Sequence, residues 1–147
     1  MINYAELRDS LADLIKKKAG LNILVFFNFV ANSSEDYIFV NLIPRNHNIG
    51  GGLTERFIRI DFQVVLTPEN GMVRRADLYE MADKLFNATA EPLQVTDRFL
   101  TIYDAEMRIF DGIMTFTFKL DFADGIDYLP SQLVSNDLMQ KLEMELK

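Results

Sequence analysis

Between Ile58 and Val64 the chain alternates strictly. Ile58, Ile60, Phe62, Val64 and Leu66 are apolar, with Arg59, Asp61 and Gln63 between them. Met114, Phe116, Phe118, Leu120 and Phe122 alternate in the same way with Thr115, Thr117, Lys119 and Asp121. A two-residue period places successive side chains on opposite faces of a strand, so both segments are predicted to be β-strands with one face buried. A one-residue slip in the later strand would expose all of its apolar set, which fixes its register. The preceding run RFLTIYDAEMRIF reaches it through Asp111-Gly112, a pair suited to a type I′ hairpin turn because both residues tolerate positive φ.

Other elements follow from similar signals. Asn3 and Glu6 form a capping-box pattern, and Leu7, Leu11, Leu14 and Ile15 share one helical face, predicting a helix from about Tyr4 to Lys18. Lys16, Lys17 and Lys18 suit its C-terminal dipole, and Gly20 suits its termination. NILVFFNFV and YIFVNLIPR, separated by the polar ANSSED, read as two antiparallel strands. Both are apolar on both alternations, so each of their faces needs a cover. A second helix is predicted over Val73–Thr89, with Leu78, Met81, Ala82, Leu85 and Phe86 as its stripe and Pro92 beyond its end. After a loop-like stretch, NDLMQKLEMELK predicts a short C-terminal helix with Leu138, Leu142 and Leu146 in one narrow stripe, capped by Ser135 or Asn136.

The order helix, hairpin, strand, helix, hairpin, helix implies an α+β fold. Its sheet is expected to be mainly antiparallel, of about five strands, with two helices on one face and the short C-terminal helix added. The chain has 147 residues, a length expected to form one domain over 1–147 that buries roughly 68–70% of its unfolded surface. Twelve Phe and 49% hydrophobic residues belong to a globular chain.

Composition also excludes classes of function. Without cysteine there are no disulfides or thiolate metal sites, and a lone histidine leaves few transition-metal options. The N-terminus lacks the apolar core of a secretory signal, and no apolar run approaches the ~20 residues of a membrane span. The net charge is −7, with fourteen acidic against six basic residues over 76–147 but three against five over 45–75. General DNA binding needs a basic face, which this balance disfavours.

RNHNIGGGLTER, residues 45–56, invites a chemical reading. It matches neither a P-loop nor a dinucleotide fingerprint, because its glycines lead into a strand and no Gly-Lys-Ser/Thr follows. His47 has no second His or Cys and no rigid support in a glycine-flanked loop. Asp121, Asp124 and Asp127 lack EF-hand spacing, with Gln132 where a bidentate glutamate belongs. The expectation is no catalytic residue, no cofactor and no metal. As a free loop, the segment would cost about 12–24 kcal/mol of backbone entropy to order, so it is expected to act on meeting a partner.

The run YIFVNLIPRNHNIGGGLTERFIRIDFQVVLTPENGMVRRADLYEMADKL, followed by RFLTIYDAEMRIFDGIMTFTFKLDFADGID, resembles the tail terminator (tail completion) proteins of tailed bacteriophages and prophages. The resemblance rests on element order over nearly the whole chain. It implies a structural subunit of the virion tail, not an enzyme, assembled in the bacterial host cytoplasm. Such subunits form a ring, usually of six copies, that caps the tail tube, ends its polymerisation and joins tail to head. Its partners would be other copies of itself, the tail tube protein and the head-completion or connector protein. DNA would be met only in passage through an acidic lumen, and no membrane is involved. A loop formed by Arg45, Asn46, His47, Asn48, Ile49, Gly50, Gly51, Gly52, Leu53, Thr54, Glu55 and Arg56 would project to bind a partner. Ring closure needs two different matching patches per copy, for which Phe27, Phe29, Phe39, Leu138, Leu142 and Leu146 are the candidates. Other readings are a neck or head-completion protein of the virion, or a small-ligand or phosphate-binding enzyme using the Gly50–Gly52 loop.

Overall fold

The computed structural model describes residues 2–28, 34–50 and 53–125. The chain opens with α1 (Tyr4–Asp13), which runs into a π-helical turn over Leu14–Lys18. Asn3 caps it as the sequence predicts: its Oδ1 accepts from the Glu6 backbone N–H at 2.8 Å, and its amide donates to the Glu6 carboxylate at 3.1 Å. Gly20, at φ +69°, then turns the chain in the left-handed region.

Strands β1 (Leu24–Phe26), β2 (Tyr37–Gly50) and β3 (Leu53–Val65) come next, followed by α2 (Arg75–Thr89). The chain then forms β4 (Leu93–Val95), β5 (Arg98–Leu100), β6 (Ile102–Phe110) and β7 (Ile113–Gly125). Among the described residues the main sheet has five strands in the order β1-β2-β3-β7-β6, and β4 and β5 form a separate small hairpin.

Ile38, Val40, Ile58, Ile60, Phe62, Val64, Met114, Phe116, Phe118 and Leu120 line one sheet face and are essentially inaccessible. Leu7, Leu11, Leu14 and Ile15 from the first helix and Leu78, Ala82 and Leu85 from α2 complete that core. Phe62 meets Phe118 edge-on at 5.4 Å, and Phe86 of α2 meets Phe116 at 4.8 Å, the edge-to-face geometry aromatic rings favour. The predicted apolar positions Ile58, Ile60, Phe62 and Val64 of β3 and Met114, Phe116, Phe118, Leu120 and Phe122 of β7 are all buried. Asp111 and Gly112 adopt φ +55° and +78°, as their turn requires.

Four sequence expectations are corrected. The first apolar pair is not an antiparallel hairpin: β1 has three residues and runs parallel to β2, Leu24 beside Tyr37 and Phe26 beside Phe39. The sheet is therefore mixed. Alternation settles which residues share a face but carries no strand direction. The π-helical turn replaces the last stretch of the predicted first helix. RFLTIYDAEMRIF is two strands, β5 and β6, rather than one, and its first part pairs with β4.

The fourth correction concerns RNHNIGGGLTER. It is not a free loop, because β2 and β3 run on through it as an antiparallel ladder with Arg45 opposite Phe57, Asn46 opposite Arg56 and His47 opposite Glu55. Strand β7 backs the ladder on its far side as far as Leu53 opposite Gly125. Backbone hydrogen bonds on both sides of β3 supply what a free loop lacks and offset its ordering cost. Gly51 and Gly52 lie outside the described residues, as do Phe29 and the predicted C-terminal helix with Leu138, Leu142 and Leu146.

Candidate assembly interface

Among the described residues the helices cover one sheet face and no element covers the other, which carries the candidate site. In paired strands, directly opposed residues point to the same side, so the register defines its rows. Leu24, Tyr37, Val65, Ile113 and Phe110 follow one another across all five strands. Every member is apolar or aromatic. Phe110 is 81% exposed, Leu24 42% and Ile113 39%. The next row is Phe26, Phe39, Gln63, Thr115 and Arg108, still aromatic at its β1–β2 end. Phe26 meets Tyr37 edge-on at 5.8 Å, tying the two rows together.

Further along, the face becomes polar. Asn41, Asp61, Thr117 and Glu106 form one row. Asp61 is buried there, its carboxylate accepting from Arg59 at 2.9 and 3.2 Å and from the Thr117 hydroxyl at 3.0 Å. The next row holds Ile43, Arg59, Lys119 and Tyr103. A recess of 490 Å³ opens among Ile43, Phe57, Arg59, Tyr103 and Lys119, beside the register shift between Tyr103 and Glu106. Burial, followed by the negative charges of Asp121, Asp104 and Glu55, raises the Tyr103 phenol above its ordinary value. The proton therefore stays on, and Tyr103 offers a neutral hydroxyl at neutral pH.

The sequence-predicted site residues separate on this frame. Phe39 lies on the uncovered face. Phe27 faces the other way, packed against the core with the Arg8 guanidinium 5.8 Å from its ring centre. Arg56, expected at the rim of a partner-binding loop, is buried instead. Its guanidinium stands 4.9 Å from the Tyr4 ring centre and 5.3 Å from that of Phe122, and it donates to the Ile2 carbonyl. It thus anchors the N-terminus to the base of the β2–β3 hairpin. The exposed row was missed from the sequence because Tyr37, Val65, Ile113 and Phe110 come from four separate strands and become neighbours only through register.

Among the described residues no three acidic or histidine side chains converge as a metal site. A cleft of 820 Å³ between the Gly20–Leu24 segment and α2 is lined by, among others, Asp36, Arg74 and Asp77. These are bonded to one another rather than aimed into the space: Arg74 donates to Asp36 at 2.9 Å and to Asp77 at 2.7 Å.

Among the described residues the chain is thus an α+β subunit with helices on one sheet face and apolar residues in a row across the other. The family model described as phage tail terminator protein matches residues 6–144, and the chain belongs to that family. It is a structural component of the bacteriophage tail. No curated protein matches the chain.

Proposed function

We propose that this chain caps the head-proximal end of the phage tail tube as a ring of identical copies, six being the usual number, ending tube growth and providing the surface on which the head is joined. Membership of the tail terminator family supports this reading. The observation that carries it is the unbroken apolar row from Leu24 to Phe110 across the uncovered face. Contiguous apolar surface of this kind on a small protein marks a contact with another chain. The β2–β3 hairpin, 45–56, is the element we assign to the tube or the connector. Assembly takes place in the host cytoplasm, and DNA passes through the lumen without being bound.

Mass measurement across a concentration range, in solution and on purified tails, tests the proposal. A closed ring of discrete mass at the tail end is expected, and tails lacking the protein should be overlong and headless. A strict monomer in both settings would refute it.

A further inference from the structure

The main sheet ends in two different strands. Among the described residues β1 and β6 each pair on one side only, so each presents a row of backbone N–H and C=O groups of the kind proteins cover or blunt. Strand β6 is blunted near its start, where the register shifts between Tyr103 and Glu106 and Asp104 takes φ +55°. From Glu106 to Phe110 its pairing is regular and it holds no proline.

Both layers stop unfinished at these same two edges. The core-facing residues from Ile58 to Val64 and from Met114 to Leu120 are essentially inaccessible. By contrast, Ile23, Val25 and Phe27 at the β1 edge and Ile102, Ala105, Met107 and Ile109 of β6 are only partly buried. On the open face the apolar row also runs out to both sides, ending in Leu24, 42% exposed, and Phe110, 81% exposed. A single covering segment would finish one edge; each edge supplies what the other lacks.

Direction and register agree with such a match. β1 runs with β2, β2 against β3, β3 against β7 and β7 against β6, so β6 is antiparallel to β1. Two copies side by side in the same sense therefore bring β6 of one against β1 of the next as an antiparallel pair. The register that carries the apolar row on without a step sets Phe110 opposite Leu24. Antiparallel pairing then puts Ile109 opposite Val25, Arg108 opposite Phe26 and Met107 opposite Phe27. Each pair is favourable: aliphatic or aromatic groups meet on the row and in the core layer, a guanidinium meets a ring, and a thioether meets a ring. A one-residue slip would set core-facing residues opposite open-face ones.

We propose that β6 of one copy adds to the β1 edge of the next, Phe110 beside Leu24, so that the sheet and its core layer continue from copy to copy round the ring. Joining two different edges is the head-to-tail contact that cyclic closure requires. This rests on the ring reading above.

Within one copy four interstrand steps separate Leu24 from Phe110, about 19 Å at ~4.8 Å per step. A disulfide needs Cα atoms within about 7 Å, and the chain has no cysteine of its own. A bond between positions 24 and 110 must therefore join two chains. The full-length double variant Leu24→Cys, Phe110→Cys, oxidised with copper phenanthroline in solution and on purified tails, should give a ladder of linked chains on non-reducing gels. Mixed single variants should give a dimer containing one of each, and neither single variant should link to itself. Leu24→Asp should raise the concentration for half-assembly by roughly tenfold or more while keeping the parent's circular dichroism. A ring that forms without the cross-chain bond, a single variant that links to itself, or an undiminished ring in Leu24→Asp would overturn this inference alone. A chain that associates neither in solution nor on tails would overturn the ring reading as well.

Discussion

The Asp36 carboxylate and the Arg74 guanidinium meet at 2.9 Å, joining the entrance of β2 to the start of α2 across 38 residues of sequence. The other Asp36 oxygen accepts from the Thr67 backbone N–H at 2.7 Å and the Thr67 hydroxyl at 3.0 Å, just beyond the end of β3. One acid thus pins three segments where they leave or enter the core. Burial pushes the Asp36 pKa up, but the Thr67 and Arg74 hydrogen bonds and the Arg74 charge outweigh it, leaving the group below its ordinary value.

Because the folded-state pKa is lowered, the stability Asp36 supplies is complete above its unfolded value of 3.8 and is lost as pH falls through the lower folded value. Asp36→Asn should cost about 1.5–3 kcal/mol at neutral pH, the range for hydrogen bonds to charged groups. In urea titrations, the gap between parent and variant should hold from pH 7 to about pH 4 and narrow below that. A gap unchanged at pH 2 would show that the carboxylate charge is not the source.

Arg56→Met should destabilise by about 2–4 kcal/mol, through the loss of the Arg56 hydrogen bond to the Ile2 carbonyl and of two cation–π contacts. Denaturant unfolding measures the loss. A cost below half a kcal/mol would mean that the Ile2 and ring contacts contribute little in solution.

Gly112→Ala should cost about 1–2 kcal/mol. Gly112 sits at φ +78°, and an added Cβ would stand 3.2 Å from a Val73 methyl. Thermal melting reads the effect, and Gly112→Asn, which tolerates positive φ better, should recover part of it.

Replacing 46–54 by a two-residue turn should leave the core folded, since β2 and β3 remain paired from Tyr37–Val65 to Arg45–Phe57. The shortened protein is expected to melt cooperatively but fail to complete infectious particles in a complementation assay. Full complementation would remove the hairpin from the partner-binding role.

Much of this was legible in the sequence because it is a matter of period and local chemistry. The buried faces of β3 and β7, the Asn3–Glu6 cap, the α2 stripe and the Asp111-Gly112 turn each follow from a few adjacent residues, as does the absence of a nucleotide-binding fingerprint. What failed was of another kind. RNHNIGGGLTER looked like a free loop because its strand character comes from β7 lying alongside, and Arg56 looked like a surface cation because the Ile2 carbonyl and the Tyr4 and Phe122 rings arrive from distant segments.

By itself, then, the sequence determined the apolar faces that β3, β7 and the two helices bury, since side-chain spacing along a strand or helix is set by the local geometry of the chain. Only the tertiary structure decided that β1 runs parallel to β2, that the glycine-bearing segment is a backed hairpin, and that five residues from separate strands line up as one apolar row, exposed at Leu24, Ile113 and Phe110. Strand direction, order and register are agreements between distant parts of the backbone, and no local period encodes them.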